Sequence, residues 1–393
     1  MDSRAGKTVK LKKAIRRLLG EGHPWIFRQA LEGPRVMPGR VVTVTDAKGR
    51  FVCRGIAESG PIGVRVLTTR DEPVNATLFS RRIRAAAALR DRVLPRDTNT
   101  YRLLHGEGDR LPGVVCDVYA DYAVLRFDGE GIVHWKDTLS GFLEETLRAR
   151  GVSNLLIRSG RGGDRRITAA FGQLPGEPVK VAERGMQLLA DLEHGQKTGM
   201  FIDQRESRWR VRNLATGLRV LNLYGYTGGF SVAAGLGEAE HVDTVDIAAP
   251  ALDLAEQNWR LNRLNPGKHA VYPADVSEFL SRAAKRAAGY DLVIADPPSF
   301  APNEKSVKTA LKAYSNLHRA AIGSVAPGGY YLAASCSSHV RRDAFEETVR
   351  EGARRTRRIV QILERLGPPP DHPRLLAFPE GDYLKVLLVR VVN

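Results

Sequence analysis

An apolar run, Tyr330-Tyr-Leu-Ala-Ala, ends in Ser335-Cys-Ser-Ser-His339, and Cys336 offers the most specific chemistry in the chain. Ligands of an open α/β sheet bind beyond the carboxyl ends of its strands, and a thiolate there is a strong nucleophile. Methylation of a pyrimidine at C5 needs one. C5 is too weak a nucleophile to attack a sulfonium methyl unaided, but a thiolate adding to C6 makes an enamine whose C5 can. The cysteine leaves once C5 has lost its proton. The plain alternative is a strand cysteine packed as a small hydrophobe.

Two loops carry further candidates. Asp296-Pro-Pro-Ser-Phe300 follows the apolar run Asp291-Leu-Val-Ile-Ala295. Its prolines restrict the backbone, so that the Asp296 carboxylate and nearby carbonyls keep one geometry. Phe300 offers a ring face on which a base can stack. Asn222-Leu-Tyr-Gly-Tyr-Thr-Gly-Gly-Phe230 reads as a glycine-rich turn between strand and helix. Gly225, Gly228 and Gly229 allow a sharp turn and close approach of a ligand to the backbone. The turn is not G-x-G-x-x-G and lacks the P-loop lysine. About twenty residues on, His241-Val-Asp-Thr-Val245 ends in Asp246, where a nucleotide-binding α/β unit holds ribose hydroxyls. By itself the turn would equally suit a dehydrogenase.

These side chains converge only if the elements around them form a sheet. Strands are expected at 219–224, 241–246, 269–273, 291–295, 329–335 and 384–391, and helices at 228–236, 250–263, 277–288, 306–325 and 341–357. Such alternation predicts an α/β fold, a mostly parallel sheet with helices on both faces. Met186 to Asp191 reads as a strand leading into His194-Gly-Gln-Lys-Thr-Gly-Met-Phe-Ile-Asp-Gln-Arg205, followed by a helix over 204–213. The last domain is expected at 181–393, after Pro175-Gly-Glu-Pro178.

Two smaller domains are expected ahead of it. Residues 1–70 read as mostly β: Val9 to Leu19 mixes apolar and basic residues, Gly22-His-Pro-Trp-Ile-Phe27 is a turn with two aromatics, and strands run over 38–45, 51–57 and 62–67. Asp46-Ala-Lys-Gly49 reads as a hairpin turn. Residues 71–180 read as α+β: a strong Ala- and Arg-rich helix at 71–95, strands at 114–119 and 122–127, a helix at 135–150 and a strand at 154–158. Gly160 to Asp164 reads as a flexible basic loop, and Cys53 and Cys116 as ordinary core.

Length and composition agree. At 393 residues two or three domains are expected. No apolar run approaches membrane-spanning length and the N-terminus has no signal-peptide core, so a cytoplasmic location is expected. The three cysteines are scattered singly, which argues against a disulfide framework or a metal pair. Formal charge is +16, with basic residues clustered at 7–17, 81–96, 158–166 and 341–358. This favours a polyanionic partner such as nucleic acid; the alternative is solvated arginine-rich faces.

Taken together, His23-Pro-Trp-Ile-Phe27 with Pro38 to Val44 and Gly55-Ile-Ala57, Gly108-Asp-Arg-Leu-Pro-Gly113, Gly195 to Arg205, Tyr226-Thr-Gly-Gly-Phe230, Asp296-Pro-Pro-Ser-Phe300, Ser335-Cys-Ser337 and Asp371-His-Pro…Pro379-Glu-Gly-Asp-Tyr-Leu-Lys385 resemble one family. It is the large-subunit ribosomal RNA cytosine-5 methyltransferases, built as a PUA-like RNA-binding domain, an α+β middle domain and a Rossmann-like class I methyltransferase domain. The resemblance spans nearly the whole chain. It implies S-adenosylmethionine as cofactor and ribosomal RNA as partner. It implies that Lys197, Thr198, Phe201, Gln204 and Arg205 border the cofactor, with Asn222, Tyr224, Gly225, Tyr226, Thr227, Gly228, Gly229 and Phe230 around its amino-acid end. Asp246 would hold the ribose, Asp275 would read the adenine amine, and Ile247, Asn258, Val276 and Pro297 would complete the pocket. Asp296 would face the methyl and the base, Cys336 would be the nucleophile, and Pro298, Ser299 and Phe300 would meet the substrate, with Lys10, Lys12 and Lys13 on the RNA.

One departure matters. Better-known RNA cytosine-5 enzymes carry a second cysteine in the fourth-strand loop, as Pro-Cys, where this chain has Pro297-Pro298. Asp296 or water is then left to assist proton removal and release of Cys336. Two other readings remain: N-methylation of guanine or adenine, with Asp296 orienting an amine, and an inactive RNA-binding assembly factor on the same fold. His194, His339 and His372 sit near motifs but read as structural or solvent-facing. Asp371 to Pro373 and Pro379 to Gly381 are expected to shape a loop on the substrate side, and the 354–358 arginines either grip phosphate or line a solvated face. A homodimer through the N-terminal domains is left open, with no heptad or apolar stripe to declare it.

Overall fold

The computed structural model describes residues 7–160, 166–283 and 289–392, and divides into two compact units. The first comprises Met1–Val181, Ala190–Ile202 and Pro370–Gly381; the second comprises Ala182–Leu189, Asp203–Pro369 and Asp382–Asn393. Most of the expected basic loop at 160–164, and the end of the helix expected at 277–288, lie outside the described residues.

In the first unit a six-stranded sheet runs Trp25–Phe27, Ile62–Thr68, Phe51–Ala57, Val41–Thr45, Lys7–Leu11, Leu31–Glu32. Its inner residues, among them Ile26, Val42, Val44, Cys53 and Val64, form a small apolar core. The turn at Asp46 is set by its own carboxylate, which accepts the Lys48 and Arg50 amides at 2.9 and 3.0 Å, and by Gly49 at φ +78°. Lys7–Leu11 is a strand, where the sequence reading had an undivided basic stretch. It pairs parallel to Val41–Thr45 and buries Val9 and Leu11.

A five-stranded sheet follows, ordered Arg166–Phe171, Asn154–Ser159, Tyr122–Phe127, Val114–Tyr119, Thr100–His105. The helix Lys136–Arg148 is the crossover between the parallel pair Tyr122–Phe127 and Asn154–Ser159. It and Ala76–Val93, capped by the Asn75 side chain on the Leu78 amide, bury Phe79, Ile83, Leu139, Leu143 and Leu147 against Leu103, Val114, Cys116 and Leu125. The strands Thr100–His105 and Arg166–Phe171 were not anticipated: Arg102 interrupts the first, and the second is mostly exposed, so neither shows a clear two-residue alternation. The two sheets are joined by buried ions. Glu58 accepts from Arg65 at 2.9 Å and from the Gly131 amide at 2.8 Å, while Arg65 also reaches Glu107 at 2.6 Å.

The second unit is a seven-stranded sheet ordered His269–Pro273, His241–Asp246, Arg219–Leu223, Tyr290–Ala295, Val325–Ser335, Lys385–Val392, Ile359–Leu366. The first five strands are mutually parallel; Lys385–Val392 is antiparallel to both neighbours. Alternation decides the two faces. Leu221, Leu223, Val293 and Ala295 pack with Phe279, Tyr314, Leu317 and Phe345 on one side, and Val220, Leu292 and Ile294 pack with Val211, Phe230 and Trp259 on the other. The edge strand Ile359–Leu366 was not anticipated: its residues are mostly exposed, and its apolar positions 359, 360, 362, 363 and 366 do not alternate as a strand's do. Strand order reverses between Arg219–Leu223 and Tyr290–Ala295, the position at which sheets of this kind open a crevice for ligands.

Candidate active site

The loop after Arg219–Leu223 leaves the sheet at that reversal. Tyr224 and Tyr226 hold φ of +57° and +47°, in the left-handed region that residues with side chains rarely adopt. The turn is held by the Gly225 amide on the Val245 carbonyl and the Gly228 amide on the Gly225 carbonyl, at 2.9 and 2.8 Å. A Cβ on Gly225 would stand 2.4 Å from Thr244 Cγ2, which explains glycine there without any ligand. Asp246 tightens the same turn, accepting from the Tyr226 amide and the Ala248 amide at 2.9 Å each. Asp275 accepts from the Ser277 and Glu278 amides and so opens the helix Val276–Ala283.

Several residues expected at the cofactor support the loop from behind. Asn222 is buried and donates to Ser231 Oγ at 2.8 Å, and Ser231 continues to Thr244 and His269. Asn258 is fully buried; its amide donates to the Thr227 carbonyl and accepts from the Leu189 amide, both at 2.8 Å. Phe230 and Val276 lie in the apolar clusters. Ile247 is 78% exposed. Gly229 has Arg208 along its flank, and Arg208 makes a buried bidentate pair with Glu183.

The proline loop and the cysteine are brought together. Gln204 Nε2 donates to Asp296 Oδ2 at 2.9 Å, and Gln204 Oε1 is buried without a partner. Pro297 is buried, Pro298 and Ser299 are exposed, and Phe300 packs on Tyr314 at 4.7 Å between centroids. Ser299 Oγ lies 3.0 Å from Ser337 Oγ. The buried Tyr314 hydroxyl accepts from Ser335 Oγ at 2.9 Å and lies 3.0 Å from Ser337 Oγ. Both serines flanking Cys336 are therefore tied down, while Cys336 itself is partly exposed. Burial raises the Tyr314 phenol above its ordinary value, so it is neutral at neutral pH.

Sequence reasoning missed three participants. Tyr314 lies in the helix Val307–Gly323, far from any motif. Lys385, fully buried, donates to the carbonyls of Ser337 and Tyr383 at 2.6 and 2.9 Å. Tyr383 donates to Asp203 at 2.9 Å. Lys385 and Asp203 did lie inside quoted motifs, and a lysine at the start of an apolar strand was the available signal.

Other expected residues belong to the first unit. Lys197, at φ +50°, sets its ammonium over the Phe201 ring at 4.3 Å. Thr198 is buried, donates to Asp117 at 2.5 Å and lies 2.7 Å from the Tyr119 hydroxyl. Asp117 is gripped by Arg102 at 2.7 and 2.9 Å. Asp371 accepts from the Arg102 amide, and its carbonyl accepts from Arg90. His372 is buried beside Asp371, whereas His194 and His339 are exposed. Lys10, Lys12 and Lys13 are exposed on and after Lys7–Leu11. Arg205 is fully buried in the second unit. Three of the four arginines at 354–358 are engaged locally, Arg354 with Glu351, Arg355 with Asn316 and Arg358 with the Ile322 and Val325 carbonyls, and Arg357 is exposed.

The donor set fits an S-adenosyl group. Carboxylates at the ends of successive strands suit hydroxyls and amines, and the orphaned Gln204 oxygen suits a further N–H donor. A family profile described as S-adenosylmethionine-dependent methyltransferase matches residues 160–390, and a PUA-like domain profile matches residues 9–69. The chain belongs to the S-adenosylmethionine-dependent methyltransferase family, with S-adenosylmethionine as its cofactor. It is 34% identical over 391 residues to the ribosomal RNA large subunit methyltransferase I of Erwinia tasmaniensis, covering 97% of this chain and 98% of the relative. A candidate SAM-dependent methyltransferase from Streptococcus mutans shares the fold at a TM-score of 0.85, with 22% identity over 98% of this chain and 100% of that one. A second solved methyltransferase, in complex with SAH, superposes at 0.86 with 23% identity, covering 98% and 99%. No described helix is long and apolar enough to cross a membrane.

Proposed function

We propose that this chain methylates C5 of a cytosine in large-subunit ribosomal RNA through a covalent adduct on Cys336. The observation that carries the reading is the setting of Cys336. It stands partly exposed at the carboxyl end of a central strand, between two serines fixed by Tyr314, of which Ser337 is also hydrogen-bonded to the Asp296 loop. A merely structural cysteine needs no such exposure; Cys53 and Cys116, both fully buried, show what structural ones look like here. When bound, S-adenosylmethionine supplies an electrophilic methyl group.

The residues of the chain do the rest. Asp246 and Asp275 orient the nucleoside part of the cofactor, and the loop from Tyr224 to Gly229 lies along its amino-acid end. Asp296, held by Gln204, meets the methyl and the base, and Phe300 with Pro298 and Ser299 frames the ring to be modified. Arg205 borders the cofactor pocket. The N-terminal domain, with Lys10, Lys12 and Lys13, binds RNA phosphate, and the domains fall at 1–70, 71–180 and 181–393. A ribosomal RNA substrate, supported by the 34% identical relative, puts the protein in the cytoplasm.

The test is Cys336→Ala on the full chain, with ribosomal RNA from cells lacking the protein as substrate. 5-Methylcytidine formation is expected to fall on the order of a thousandfold, while calorimetric affinity for SAH changes little. Full activity in the variant would sink the covalent mechanism. Mass spectrometry of the digested RNA decides the base: a methylated exocyclic amine in place of 5-methylcytidine would favour N-methylation with Asp296 orienting the amine.

A further inference from the structure

Lys385 is the first residue of the antiparallel strand Lys385–Val392 and the cross-strand partner of Ser335. Its ammonium donates to the Ser337 carbonyl at 2.6 Å and the Tyr383 carbonyl at 2.9 Å. The side chain thus starts opposite the residue before Cys336 and ends on the carbonyl of the residue after it. It is fully buried, a costly place for a cation whose hydrogen-bond acceptors are neutral. The charged and titratable groups facing it are Asp382, Arg342 and Cys336. Asp382 is already paired with Arg342 at 3.3 Å. Asp382 and Cys336 both favour the ammonium, and the thiol is the one of the two that can add a counter-charge by giving up its proton.

We propose that Lys385 is the ionising partner of Cys336, its amine taking the thiol proton to leave a thiolate beside an ammonium. The inference rests on the reading of Cys336 as nucleophile and extends it to a residue with no part assigned above. The balance is simple: thiol plus amine becomes thiolate plus ammonium. The sulfur lone pair then forms the C–S bond to C6, Lys385 stays protonated, and on elimination the thiolate returns to its cationic neighbour. Burial lowers the Lys385 ammonium to about 8, so the amine form is accessible near neutral pH. The arrangement also compensates for the missing second cysteine of the fourth-strand loop. Release of Cys336 is easier when its leaving thiolate is stabilised by an adjacent charge.

The experiment reads the thiol directly, apart from methyl transfer. The full-length protein is alkylated with iodoacetamide across pH 5–10, and the modified residue is located by mass spectrometry. Burial pushes Cys53 up to about 12 and Cys116 higher still, so the accessible reaction belongs to Cys336. The wild-type midpoint is expected at least about one pH unit below the ordinary thiol value of about 8.5. Lys385→Met should slow alkylation at pH 7 by about tenfold or more. Lys385→Arg, which keeps a fixed cation, should return it to within about twofold of wild type. Equal rates in Lys385→Met and wild type overturn the proposal, as does an arginine variant no faster than the methionine one. Calorimetric SAH binding checks that each variant is folded. If the methionine variant is not, the wild-type midpoint decides, and a value at or above about 8.5 overturns the pairing. The nucleoside product tests the other reading separately: a low thiol midpoint with an N-methylated product would keep the pair and remove the C5 assignment.

Discussion

Asp296 and Cys336 differ in how the chain holds them. Asp296 is fixed by covalent stiffness, two prolines directly behind it, and it accepts a hydrogen bond from the Gln204 amide. Cys336 is fixed by its neighbours, through hydroxyls that converge on one buried phenol. Gln204 is an uncharged donor, and the negative charge of a carboxylate suits a cationic cofactor or a departing proton. Asp296→Asn keeps size and the possibility of a hydrogen bond but removes that charge. The expected outcome is a loss of turnover of about a hundredfold or more with cooperative unfolding retained. Single-turnover kinetics beside a thermal melt checks it; wild-type turnover would remove Asp296 from the chemistry.

At the scale of elements, the glycine-rich loop is a packed object as much as a ligand cradle. Gly225→Ala drives a methyl into Thr244, whose hydroxyl sits in the chain Asn222–Ser231–Thr244–His269. Overpacking of this kind costs about 1–3 kcal/mol. Both a lower melting temperature and weaker SAH affinity are expected, and a variant that loses neither would show the loop to be slack. The helix Val307–Gly323 carries a second consequence. His318 is fully buried among Tyr314, Tyr331 and Phe345, and desolvation depresses it to about 3; His269, stacked on Trp259, is depressed to about 4. Their unfolded forms take up protons near pH 6.5. Stability is therefore full above that pH and declines as pH falls toward the folded values, by roughly 1.4 kcal/mol per pH unit for each histidine. Melting temperature against pH from 7.5 to 4.5 should show the decline, with a shallower slope for His318→Phe. An identical slope would assign the acid sensitivity elsewhere.

Across the whole molecule, the formal charge of +16 is not all surface charge. Arg65, Arg82, Arg90, Arg158, Arg205 and Arg208 are buried. Arg90 grips Asp109 with both arms at 2.6 and 2.8 Å, and Arg82 and Arg158 donate to main-chain carbonyls. In the 81–96 cluster Arg82 and Arg90 are internal while Arg81, Arg84, Arg92 and Arg96 are exposed, and Arg354, Arg355 and Arg358 are bonded to their own surroundings. The exposed lysines at 10, 12 and 13 remain free to meet phosphate. Replacing all three with alanine should reduce the slope of log affinity for ribosomal RNA against log salt by about 2–3, leaving SAH affinity unchanged. Titrations at several salt concentrations measure this, and an unaltered slope would move the RNA contact away from that strand.

The sequence by itself determined the α/β alternation from 219 onward, because apolar strands buried on both faces leave an unmistakable periodicity. It also determined the two reactive loops and the cysteine, because prolines, glycines and a thiol act through their own covalent structure. The edge strand Ile359–Leu366 was illegible, since its apolar residues fall at 359, 360, 362, 363 and 366, a spacing that does not alternate. Only the tertiary structure decided that Asn222, Asn258, Phe230 and Val276, expected at the cofactor, support the glycine-rich loop and its sheet from within. Only the tertiary structure brought Tyr314 and Lys385 to Cys336, because a hydrogen bond between distant segments follows from sheet order and strand register, and neither is written in local sequence.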